Sequence, residues 1–206
     1  MRGLSCPRFL FKVKIMAIVS KVSLCSNALI RLGAKGISDL NEDNDRARLT
    51  VLYDNLRDSL LRSHVWNCAV KRVILSPSTN LPEFGFSNQF LLPDDWLRTL
   101  QVGEKYDGID YKLESGYIMA DTDSVYLRYI FRNTVEATWD AMLIEGMELT
   151  LAHAFAYPIT QSTASKQDAR DELVRFLKTA MAVDGVEEPS EQFGDSYLIS
   201  ARHASR

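Results

Sequence analysis

What most constrains this chain is a change of hydrophobic period, from helical to two-residue and back again. Across residues 17–33, Ile18, Val22, Cys25, Leu29 and Leu32 recur at steps of three and four, and Gly33 offers a C-terminal stop. After a short connector, the acidic stretch 41–45 suits a helix N-terminus and its dipole. Leu49, Tyr53, Leu56 and Leu60 then carry a second helical stripe to about His64. Residues 69–75 are rich in valine and isoleucine, and 76–82 is turn chemistry. Residues 84–92 (closed by Pro93-Asp94-Asp95), 97–102, 111–119 and 125–131 read as further extended segments, with Asp121-Thr122-Asp123-Ser124 as a turn. In the last of them Val125, Leu127, Tyr129 and Phe131 alternate with Tyr126, Arg128 and Ile130, the pattern of a half-buried strand. This predicts an antiparallel unit of four or five strands. Helical steps return after Thr138, read as an N-cap, through Leu143, Met147, Leu151, Ala154 and Phe155 to Pro158, which ends or kinks the helix. A polar link over 160–165 leads to a last helix, 168–183, with Leu173, Phe176, Leu177 and Ala180 on its apolar stripe.

The order predicts an α+β fold: two helical hairpins forming a helical bundle, a central antiparallel β insert, and an extended C-terminal arm. The helical domain takes 16–66 and 136–185, the β insert 67–135, and the arm 186–206, where an isolated apolar cluster of Phe193, Tyr197, Leu198 and Ile199 follows acids and a proline. Residues 1–15 stand apart, with Arg2, Arg8, Lys12 and Lys14 and no acid. Lys12 and Lys14 interrupt the only apolar stretch that a signal peptide could use. The segment reads as a basic leader or upstream-start extension, with Met16-Ala17 as the functional beginning. Trp66 and Trp139 fall at the two junctions between helical and β parts, and with Trp96 they are read as core anchors.

Composition narrows the function. At 206 residues, 46% hydrophobic and 25% charged, the chain is long enough to bury a core without staples, and it does not read as disordered. It contains no run of about 18 apolar residues. The 24 Lys and Arg against 27 Asp and Glu give a net charge of −3, opposite to the bias of a protein that grips nucleic acid by neutralising phosphates. Three cysteines, Cys6, Cys25 and Cys68, have no paired spacing, so neither a disulfide framework nor a zinc site is expected, and a reducing cytosolic origin is. His64, His153 and His203 stand in no metal-binding spacing, and no GxSxG, GxGxxG or P-loop pattern occurs. The adjacent acids Asp94-Asp95 and Glu187-Glu188 suit capping or solvation, not two carboxyls converging on a cleft. No catalytic, cofactor or metal residue is assigned, and no enzyme activity is expected.

Several phrases, taken in order, are more specific. They are Ser26 to Gly33, Ile37 to Leu40, Tyr53 to Leu61, His64-Val65-Trp66-Asn67-Cys68-Ala69, Phe90 to Arg98, Tyr129-Ile130, Thr138-Trp139-Asp140 and the Leu149 to Ala156 helix. In this order and spacing, over roughly residues 16–185, the chain resembles the tail tubular protein A family, the head-to-tail adaptors of short-tailed bacteriophages. It departs from the family pattern at Cys68, where a phenylalanine is common, and at Trp96, where smaller residues are frequent. The basic leader is not part of that pattern.

The resemblance implies a structural virion protein of the tail, at the head-to-tail interface, assembled in the host cytoplasm. Its implied partners are the portal protein above, a tail nozzle of the tail tubular protein B type below, and other copies of itself in a ring matching the portal's twelvefold symmetry. DNA would only pass through the lumen, and no membrane contact is implied. The arm, through Phe193, Tyr197, Leu198 and Ile199, is the expected portal-docking element. The β insert, with loops near 77–89 and 103–124, is the expected nozzle-facing or ring-lining surface. The alternative reading is a tail-associated cell-envelope hydrolase.

Overall fold

The computed structural model describes residues 19–41, 45–104 and 109–187. The leader and residues 188–206, with the four apolar arm residues, lie outside the described residues. The fold is mixed α+β, with helices at both ends and two three-stranded antiparallel sheets between them.

Helix α1, Lys21–Arg31, begins at a capping box in which the Ser20 hydroxyl accepts from Ser23 N, and Ser23 reciprocates. It ends where Gly33 takes φ +74°, so that Gly33 N donates to Ile30 O and Ala34 N to Leu29 O. The second helical stretch is not continuous. A single turn, α2 (Asp45–Arg48), and a 3₁₀ turn (Leu49–Leu52) precede α3, Tyr53–Ser63. The reason is local: Thr50 Oγ1 donates to Ala47 O at 2.6 Å, within a β-branched pair with Val51.

Six strands follow: β1 (Val70–Leu75), β2 (Asn88–Leu91), β3 (Trp96–Val102), β4 (Tyr111–Glu114), β5 (Tyr117–Ala120) and β6 (Val125–Phe131). The expected single segment 111–119 is a hairpin, β4–β5. Ser115 and Gly116 have φ of +50° and +82°, the two left-handed positions of a tight hairpin turn. One sheet has the order β1-β6-β3 and the other β2-β5-β4. Helix α4, Ala141–Thr160, is capped by Asp140, whose carboxylate accepts from Leu143 N at 2.7 Å. Thr138, the expected cap, lies in a 3₁₀ turn and bonds Asn133 and Val135 instead. Pro158 does not end α4. It falls in the last turn, where its missing N–H removes one bond from the end of the helix without breaking it, and the helix stops at Gln161 (φ +51°). The link to α5, Thr163–Glu187, is therefore only residues 161–162.

Two cores result. The helical one joins α1, α3 and α4 around Leu29, Leu61, Trp66, Leu143, Met147 and Phe155, and reaches the first sheet at Leu97 and Ile130. The second lies between the sheets, where Phe90, Ile118 and Ala120 meet Val125, Leu127 and Tyr129. Helix α5 packs on α4, with Ala180 buried and Phe176 and Leu177 partly so. Arg31 ties three helices together, with Glu148 at 3.2 Å and Glu145 at 3.5 Å on α4 and Glu172 at 3.9 Å on α5.

A chain of charges closes the helix–sheet junction. Lys21 bonds Asp54 (2.9 Å), Asp54 and Asp58 flank Arg57 (2.9 and 2.7 Å), and Asp58 accepts from Arg132 (2.8 Å) at the end of β6. The Arg57 side chain is only 7% exposed, although its sequence position suggests an outer face. Arg57→Ala removes charged hydrogen bonds from a desolvated site, discounted because Asp54 stays solvated. It should cost about 2 kcal/mol, read as a lower urea midpoint with an unchanged slope.

Candidate functional site

The three tryptophans divide between the cores. Trp66 is fully buried in the helical core; its indole N–H donates to Leu60 O at 3.2 Å, and the His64 ring stands edge-on at 5.1 Å. Trp139 is also buried there, and its Nε1 meets no acceptor among the described residues. Trp96 is half-buried beside the second core, its indole N–H donating to Thr99 Oγ1 at 3.0 Å.

Of the acid pair after Pro93, Asp94 is exposed and Asp95 is structural. Asp95 accepts from Lys71 Nζ at 2.6 Å on β1 and from the Tyr129 hydroxyl at 2.9 Å on β6, while Lys71 also lies 3.9 Å over the Phe131 ring. Burial works to raise the Asp95 carboxyl, but the Lys71 and Tyr129 bonds prevail and hold it below the ordinary range. The Tyr129 hydroxyl is pushed upward, by burial first and then by the hydrogen bond to Asp95. Burial pushes the thiols of Cys25 and Cys68 up to about 11. Cys25 lies in the helical core, and Cys68 Sγ donates to Asp140 at 3.6 Å. His153, half-buried on α4, is held below its ordinary value by desolvation, with Lys166 and Arg170 adding to the effect. No group of three His, Cys, Asp or Glu among the described residues is placed to hold a metal. No helix among them is long and apolar enough to cross a membrane.

The surface features lie on the β unit. The first sheet turns one face to the second core; on its other face only the end near Ile130 and Leu97 is covered by helices. The open end is a groove of about 550 Å³. Its floor consists of two cross-strand rows: Arg72 opposite Arg128, and Ile74 opposite Tyr126. Gln101 extends the first row on β3, and Gly103 and Glu104 stand at the mouth. Ile74 is 61% and Tyr126 40% exposed. Arg62 and Arg98 border the helical side, Arg98 donating to Arg62 O at 3.0 Å and Arg62 to Leu97 O at 2.6 Å.

The second sheet has the opposite character. Every residue of its edge strand β4 is exposed. Tyr111 and Leu113 point to the same side as the buried Ala120 and Ile118 beside them, yet no opposing strand covers them. Glu83, Asp110, Glu114, Asp121 and Asp123 surround the sheet, with Lys112 the one cation in 81–91 and 109–124. Asp121 accepts from Ser87 N, and this bond lowers its pKa. In the preceding loop Leu81 and Phe84 stand 65% and 86% exposed.

The structure thus brings together Arg72, Ile74, Tyr126 and Arg128, which sequence reasoning does not select. Alternation in β6 sets Tyr126 and Arg128 apart from the core face, but nothing local gives the register that places Arg72 opposite Arg128. No protein-family model matches the sequence, and no curated protein does.

Two outcomes are expected from these groups. At pH 7.5 a thiol with a pKa near 11 is ionised only to a few parts in ten thousand. Alkylation of Cys25 and Cys68, followed by peptide mapping, should therefore run roughly a hundredfold slower in the native protein than in urea. The lowered Asp95 carboxyl contributes stability that is fully present above the ordinary carboxylate value, near 4, and is lost as pH falls through its folded value. Lys71→Met should flatten that acid limb in a series of thermal melts, and an unchanged limb would count against the assignment.

Proposed function

We propose that the chain is a structural head-to-tail adaptor of a short-tailed bacteriophage. It forms a ring beneath the portal, connects the portal to the tail nozzle and continues the DNA channel. The observation that carries this reading is where the family-like phrases fall in the fold. Ser26 to Gly33 makes the body and the Schellman stop of α1, and Tyr53 to Leu61 is the inner helix α3. His64 to Ala69 holds Trp66 at the helix–sheet junction, and Phe90 to Arg98 turns from one sheet to the other. Trp139 and Asp140 open α4, and Leu149 to Ala156 is its buried stretch. Most of these phrases fall in the helices, strands and junctions that carry the two cores, while Ile37 to Leu40 lies in the connector after α1.

In this reading two helical hairpins form the bundle that carries the ring, and the β insert is the platform for nozzle and lumen. A ring needs two different complementary side faces, and the mixed-charge helices and the two unlike sheets provide unlike faces. The arm 186–206 is the portal-docking element. Phe193, Tyr197, Leu198 and Ile199 are the anchors that enter portal pockets.

Native mass spectrometry with the cognate portal ring tests this. The full chain should join the portal in a stoichiometric ring. A chain ending at Gly185 should stay folded by circular dichroism and lose portal binding. Undiminished binding by the shortened chain would remove the arm from the account, and no binding by the full chain would remove the adaptor reading.

A further inference from the structure

We propose that copies of the chain join head to tail through the β unit, with the β4–β5 hairpin of one copy seated in the arginine-lined groove of the next. This deepens the ring reading by naming the two surfaces that would close it.

The two surfaces cannot meet within one molecule. The groove lies on the face of the first sheet that turns away from the second sheet, and the hairpin belongs to that second sheet. Contact between them is therefore contact between copies, and it joins unlike patches, which is the geometry that generates rings.

The groove has an unmet electrostatic demand at Arg72. Arg72 and Arg128 stand directly opposite each other on neighbouring strands, a like-charge pairing that is unfavourable by itself. Arg72 is exposed and has no carboxylate partner among the described residues. The hairpin is the complement, since Asp110 and Glu114 bracket β4 in a sheet with five carboxylates and one lysine.

The apolar pattern fits the same pose. The Arg72–Arg128 row and the Ile74–Tyr126 row lie two residues apart along the strands, about 7 Å. Alternation along β4 puts Tyr111 and Leu113 on one side and Asp110, Lys112 and Glu114 on the other, two carboxylates flanking one ammonium. A strand seated edge-on between the rows presents Tyr111 and Leu113 to Ile74 and Tyr126, and its carboxylates to the arginines. All four apolar side chains are more than a third exposed in the single chain, at 37% and 41% on the hairpin and 61% and 40% in the groove. The free edge of β4 makes it available for such insertion.

The test uses two full-length chains, one carrying Ile74→Cys and the other Leu113→Cys, mixed in equal amounts and oxidised without portal; disulfides are assigned by peptide mass. The 74–113 mixed disulfide should exceed either homodimer by about tenfold. Adding Arg72→Glu to the first chain should abolish that excess, and Glu114→Arg in the second should restore it. Equal yields of the three products, no crosslink, or a dominant 74–74 homodimer would each overturn the proposal. So would protection of the thiol introduced at position 74 by a short DNA duplex without the mixed product, which would assign the groove to a polyanion. Because portal is absent, failure here leaves the portal-binding test standing, and the converse also holds.

Discussion

The rest of the structure depends on strand β6 serving two cores at once. Val125, Leu127 and Tyr129 fill the space between the sheets, while Ile130, fully buried, belongs to the helical core. A strand used on both faces cannot slip by one residue without exposing one core and placing polar groups in the other. The polar ties at its end enforce the same register. Tyr129 reaches Asp95, Arg132 N donates to Asp95 O, and the Arg132 side chain reaches Asp58 on α3. Helices and sheets are thus joined by a shared element, not by a surface where two finished units touch.

The charges at that junction alternate, from Lys21 through Asp54, Arg57 and Asp58 to Arg132. A lone buried arginine would be costly to desolvate; one held by carboxylates on both sides fixes geometry at modest net gain. Asp54 shows the effect: hydrogen bonding from Lys21 holds its carboxyl below the ordinary range against a smaller opposing effect of burial. The network specifies how α1, α3 and the end of β6 meet, whereas Leu61, Trp66 and Ile130 supply the cohesion.

The α+β class was legible because the periods of 3.6 and 2 occupy separate blocks of sequence. The stop at Gly33 was legible too, since glycine alone takes its positive φ without strain. The β4–β5 turn was not. Ser115-Gly116 is a two-residue signal inside a run whose alternation continues through it, so period alone reads one strand. Charge usually marks a solvated face, so the pattern alone puts Arg57 outside; its burial depends on Asp58 and on packing distant in sequence. The groove was hidden for a related reason. Arg72 and Arg128 are 56 residues apart, and only the antiparallel register of β1 and β6 makes them neighbours. The tryptophans were legible as large apolar residues near the period changes, but not which of the two cores each enters.

The net charge of −3 is a sum over a molecule whose charges are separated, and this changes what the sum implies. Screening at physiological salt confines a charge's influence to about 8 Å. A passing polyanion or a docking subunit therefore meets the local face, not the total. On the first sheet the local face is Arg72 and Arg128, with Arg62 and Arg98 beside them; around the second it is carboxylate. If DNA is to slide through a ring without being held, the arginine face is the one that must be covered, and the acidic sheet can remain open to the lumen. The proposed head-to-tail seating of the hairpin would do the first, setting a neighbour's carboxylates beside the arginines. A mild overall acidity would not by itself keep a channel free of DNA; the placement of the arginines at a subunit contact would.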